Sequence, residues 1–96
     1  MDRFIIVSLM LLILSATLCE GGEAMCIQRT GAHTCASLDC ETYMYVRADH
    51  YYPCDCYKTE RLPHKTKVWY HIETSKGKYG YVLADDCWAE VPECKS

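Results

Sequence analysis

The chain contains no asparagine, which excludes N-linked glycosylation. Serine is scarce: after residue 19 only Ser37, Ser75 and Ser96 remain. None stands in a nucleophile-elbow context, so a serine hydrolase triad has no attacking group. The four histidines, His33, His50, His64 and His71, show no paired metal-ligand spacing. His33 near Cys35 and His50 near Cys54 are the nearest approach to a zinc set, and disulfide formation is the expected fate of those thiols. Calcium needs more oxygen ligands in ordered spacing than Asp85-Asp86 and Glu90/Glu93 provide, and these acids read as a solvated face. No cofactor or metal is expected. After residue 19 there is no apolar run approaching the roughly 20 residues of a membrane span, no helical period and no internal repeat.

What the chain does have is an apolar leader followed by cysteines. Phe4 to Leu14 is apolar apart from Ser8, and Ser15 to Cys19 is small and mostly neutral. This is the pattern of a secretory signal peptide over residues 1–19. Cleavage after Cys19 or Gly21 leaves seven cysteines: Cys26, Cys35, Cys40, Cys54, Cys56, Cys87 and Cys94. Cleavage after Ala16 keeps Cys19 and leaves eight. Seven imply three bridges and a leftover thiol, with a disulfide-linked dimer as one outcome; eight allow four bridges and a monomer. In an oxidising extracellular compartment these cysteines should be cross-linked. Cys54 and Cys56, one residue apart, are expected to face opposite sides of a strand, to take different partners and both to be oxidised. Either Cys87 or Cys94 should tie the acidic tail back to the body. A core of this size is marginal by itself, so the bridges, at roughly 2–4 kcal/mol each, should supply much of the net stability.

The net charge of −3 hides a segmented distribution. Residues 20–57 carry two basic and six acidic side chains, residues 58–84 six basic and two acidic, and the tail is acidic again. A basic middle can meet an anionic partner or merely solvate two loops. Nucleic acid is not an expected partner of an acidic secreted chain. Eight tyrosines and two tryptophans, all beyond the leader, exceed what so small a domain can bury.

The strongest local pattern lies between residues 68 and 84. Val68, Tyr70 and Ile72 alternate with polar or aromatic neighbours, as a strand requires. Ser75-Lys76-Gly77-Lys78 is a turn and Tyr79 to Ala84 the return strand. Met44 to Arg47 and Cys54 to Lys58 are expected as shorter strands. Residues 20–42, rich in close-spaced cysteines, read as a disulfide-tied loop region, and residues 43–96 as a small β domain with a cysteine-rich tail.

Trp69-Tyr70-His71-Ile72, then Gly77-Lys78-Tyr79-Gly80-Tyr81-Val82, resembles the closing strands of extracellular, bacterial-type Src-homology-three-like domains. Tyr45-Val46-Arg47 is similar to their opening strand. The resemblance covers about 40 residues, 45 to 84. The Gly-Pro turn that usually follows the opening strand is absent, with Ala48-Asp49-His50 in its place. The resemblance implies a mostly β fold, a small five-stranded barrel of a kind that binds peptides or cell-wall glycans in a groove and is rarely catalytic itself.

Together these features point to a secreted, disulfide-stabilised, non-enzymatic binding protein. The leading expectation is a toxin-like or defence effector acting on an extracellular protein target; the alternative is a glycan- or matrix-binding module. The expected binding surface joins Tyr51 and Tyr52 to the basic loop residues His64, Lys65 and Lys67, since the barrel family places its groove between the equivalent loops.

Overall fold

The computed structural model describes residues 22–95. The expected leader, its cleavage site and Cys19 lie outside the described residues. Those described form seven strands: β1 (Gly22–Cys26), β2 (Thr30–His33), β3 (Thr42–Val46), β4 (His50–Arg61), β5 (Thr66–Ser75), β6 (Lys78–Leu83) and β7 (Cys87–Ala89). They make one antiparallel sheet in the order β3-β2-β6-β5-β4-β1-β7. The mostly β expectation holds. The five-stranded barrel does not: β3 and β7 are unpaired edges, so the sheet is open and has seven strands.

The β5–β6 hairpin forms where the alternation placed it. Tyr70 pairs with Val82 and Ile72 with Gly80. Gly77 adopts a φ of 78°, the left-handed region where a side chain would be strained. The segment expected as loop, 20–42, instead contributes β1 and β2. Neither has strong strand propensity. β1 is held from both sides, by β4 and β7, so neighbours rather than its own residues make it a strand. Only Cys35 to Cys40 remains a bridged loop.

One hydrophobic cluster draws residues from every strand: Ala24 and Cys26, Ala32, Val46, Tyr52 and Cys54, Tyr70 and Ile72, Val82, Cys87 and Ala89. A single sheet can gather residues from both its edges only by curling, so this cluster marks its concave face. Asp86 helps close the curl, accepting from Gln28 Nε2 and from Thr30 Oγ1, the latter at 2.7 Å. Trp69 is fully buried on the opposite face. There the Cys35–Cys40 loop covers it. Glu60 accepts from Trp69 Nε1 at 3.0 Å and from Ser37 Oγ at 2.7 Å, while the His33 ring meets the indole edge-on.

Among the described residues there are three disulfides, Cys26–Cys87, Cys35–Cys40 and Cys56–Cys94. Two of them tie the C-terminal segment back to the body. Cys54 carries a free thiol, so the expectation that Cys54 and Cys56 are both oxidised is corrected at Cys54. The two do face opposite sides, but for a reason the spacing alone does not supply. Residues two apart in a regular strand share a face. Here Cys54 pairs with Ile72 and Cys56 with His71, leaving Asp55 as an extra, bulged residue. The bulge turns Cys54 to the concave core and Cys56 to the convex side. Being 3% exposed, Cys54 is in no position to bridge two chains.

Candidate functional site

The structure separates the residues expected to bind together. Tyr51 lies near the start of β4, whereas His64 and Lys65 occupy the tip of the β4–β5 hairpin. From Tyr51 to Arg61 is ten residues of extended chain, about 33 Å. Tyr52 is only 9% exposed, and its hydroxyl accepts the Arg47 N–H. It is a core residue, because adjacent strand residues face opposite sides and Tyr51 takes the outer one. Lys67 is paired with Asp85 at 2.7 Å, while His64 and Lys65 are exposed. Of the expected set, Tyr51 alone joins the surface described next.

That surface is the convex face of the sheet. Met25 lies directly opposite Trp88 on β7 and opposite Tyr51 on β4. Directly opposed residues share a face, so the three form a row across three strands. Trp88 is 61% exposed and Tyr51 64%. The row stands on a fixed base: Cys26 and Cys87, one residue along, are opposed in register and bridged. Neither aromatic can drift away from Met25 without breaking strand pairing or the bridge beneath.

Two residues further along these strands the chemistry changes to acid. Glu23, opposite Pro53, and Glu90 lie next to the aromatic row. Beyond Pro53 is a cavity of about 190 Å³ lined by Gly22, Pro53, Cys54, Asp55, His71, Glu73 and Tyr79. Asp55 Oδ1 is 2.7 Å from His71 Nδ1, and Glu73 Oε2 accepts the Gly77 N–H at 2.8 Å. The His71 ring stacks on Tyr79 at 5.1 Å, nearly parallel, and meets Tyr81 at 5.0 Å. The Lys58 ammonium stands 5.7 Å above Tyr81.

No protein-family model matches this chain, nor does any curated protein or solved structure. The reading of the site rests on its own chemistry.

Cys54 borders the cavity, but burial pushes its thiol up to about 11, with the Asp55 carboxylate adding to the shift. A thiol so protonated is a poor nucleophile near neutral pH. Asp55, Cys56 and His71 bring three donor atoms within 4.8 Å of one another, yet the Cys56 sulfur is committed to Cys94 and cannot act as a thiolate ligand. Cys35, adjacent to His33 in the other zinc candidate, is likewise bridged. The arrangement is therefore suited to contact: large rings, fixed carboxylates and a rigid support.

The sequence carried a signal for the missed residues. Trp88 stands between Cys87 and Ala89, both small and buried, the pattern of a strand residue facing outward. Its partners Met25 and Tyr51 lie far away in the chain, and only the strand register unites them.

Proposed function

We propose that this is a secreted, non-enzymatic binding protein that engages an extracellular protein target through the convex face of its sheet. The observation that carries the reading is the Trp88–Met25–Tyr51 row. Two rings, each more than half exposed, flank a methionine on a bridged support. Large aromatic residues on a fixed surface are the usual anchors of protein interfaces, because they bring contact area with little conformational entropy to lose. Exposed apolar patches rimmed by polar groups mark such interfaces. Three intrachain disulfides suit an oxidising compartment, and the apolar leader supplies a route to it. The bridges also suit an effector that must persist outside a cell.

The test is a comparison of the wild-type protein with a Trp88→Ala/Tyr51→Ala variant on arrays of purified extracellular proteins and glycans. The wild type is expected to bind a small number of proteins. The variant should keep its three bridges and lose affinity at least about tenfold per anchor. Undiminished binding by the variant would remove this face from the mechanism. Binding confined to the glycan array would favour the matrix-binding alternative.

A further inference from the structure

The cavity beside the aromatic row bears on what kind of partner this surface takes. Its walls combine two carboxylates, Asp55 and Glu73, with the rings of Tyr79 and His71. Among the described residues no lysine or arginine lines it. Each carboxylate has one oxygen held by a neighbour: Asp55 Oδ1 by His71 and Glu73 Oε2 by the Gly77 N–H. These bonds orient the groups and leave Asp55 Oδ2 and Glu73 Oε1 without a partner among the described residues. Tyr79 is stacked by His71 on one side and is 52% exposed overall, so ring surface remains for a visitor. Glu23 and Glu90 extend the negative charge toward the Trp88–Met25–Tyr51 row.

We propose that this cavity receives the cationic side chain, arginine or lysine, of a residue on the protein partner. The inference rests on the binding function proposed above and supplies the chemistry of its partner: a basic segment whose apolar neighbour seats on the aromatic row. A cation is attracted both to ionised carboxylates and to the face of an aromatic ring, and this cavity presents the two together. Its size suits one side chain. A neutral group would leave the second oxygen of each carboxylate partly desolvated without a partner, so the pocket selects against it. An anionic partner would meet Asp55, Glu73, Glu23 and Glu90 as like charges. Of the basic residues, Arg61, Lys65 and Lys67 lie toward the hairpin tip at the other end of β4, while Lys76 and Lys78 stand exposed at the β5–β6 turn beside the cavity without lining it.

The test needs no knowledge of the partner. N-acetyl-arginine amide is titrated into the oxidised protein while the ring resonances of Tyr79 and His71 are followed by NMR, with neutral N-acetyl-citrulline amide as control. Saturable shifts at both rings are expected for the arginine compound, and binding at least about fivefold weaker for citrulline. Glu73→Gln keeps an acceptor for Gly77 and should weaken arginine binding by a similar factor without disturbing the remaining spectrum. Asp55→Asn should do the same. Trp88→Ala should leave it unchanged, although that substitution weakens binding to the protein target. This separates failure of the cavity from failure of the surface as a whole. The proposal is overturned if arginine gives no saturable shift, if citrulline binds equally well, or if both carboxylate variants bind like the wild type.

Discussion

The ring of Tyr43 lies across the backbone of Gly80. A Cβ built at Gly80 would stand 2.8 Å from Tyr43 Cε1 and 3.2 Å from Ala32 Cβ. The Tyr43 hydroxyl holds the ring there, donating to the Tyr79 carbonyl at 2.9 Å and lying 2.7 Å from Thr74 Oγ1. Through this contact the edge strand β3 locks onto the central hairpin. Gly80→Ala should destabilise the domain by about 1–3 kcal/mol, as overpacking does. In thermal unfolding that corresponds to about 4–8 °C per kcal/mol for a domain this small. Adding Tyr43→Ala should give less than the sum of the two single losses, since the clash is then gone. Full additivity would show that Gly80 matters for another reason.

Glu60 links stability to acid. The Ser37 hydroxyl above all holds its carboxyl below the usual range; desolvation, the next largest effect, opposes it, and the Trp69 and Leu38 N–H groups and the charge of His33 add to the lowering. A carboxyl lowered on folding stabilises the fold in full above its unfolded value of about 4.3. That contribution is lost as pH falls through the folded value. The cover over Trp69 should therefore loosen on acidification below about pH 4.3. Trp69 fluorescence in a Trp88→Phe background reports this directly. Glu60→Gln should weaken the cover at neutral pH and flatten the acid dependence; an unchanged acid transition would reassign it to another group.

Cys54 should resist modification. Its thiol is raised to about 11, first by burial and then by Asp55, so iodoacetamide at pH 8 should leave it unmodified while the protein is folded. One adduct should appear once the chain is denatured without reduction. The sign of the linkage is the reverse of that at Glu60. The unfolded thiol ionises near pH 8.5 and the folded one near 11, so stability should fall between those values. Cys54→Ala should abolish that alkaline decline. Rapid alkylation of the native protein would contradict the burial.

The bridges should not contribute equally. Cys26–Cys87 spans 61 residues and Cys35–Cys40 only 5. Loop-closure entropy predicts losses of about 4 and about 2 kcal/mol when each pair is replaced by alanine. Chemical denaturation of the two double variants would rank them. The reverse ranking would mean that the short loop's cover over Trp69 outweighs chain entropy.

What was legible in the sequence follows the range of the forces involved. The Val68–Thr74 alternation and Gly77 are local, and the hairpin they specify is present. The fate of Met25 is not local. Nothing in Gly22-Glu23-Ala24-Met25-Cys26 demands a strand; β4 and β7 impose one. Tyr52 could have been assigned from alternation, since Tyr51 and Tyr52 cannot both point outward from one strand. The barrel resemblance drew attention to the hairpin tip, where His64 and Lys65 are exposed but far from Tyr51. The partner thiols of Cys56 and Cys26 depend on register, which seven cysteines alone do not reveal.

The bulge at Asp55 gives this chain something like a reading frame. Every residue of β4 after position 55 owes its side of the sheet to that one uncompensated residue. Drawing Asp55 into the ladder opposite His71 would send the Cys56 sulfur inward and away from Cys94. It would also turn Tyr57 outward and carry Lys58 and Glu60 toward the core. What matters in this segment should thus be which residue stays out of the pairing rather than its identity: many residues could stand at position 55, and deleting it would leave Cys54 and Cys56 adjacent, still opposite Ile72 and His71.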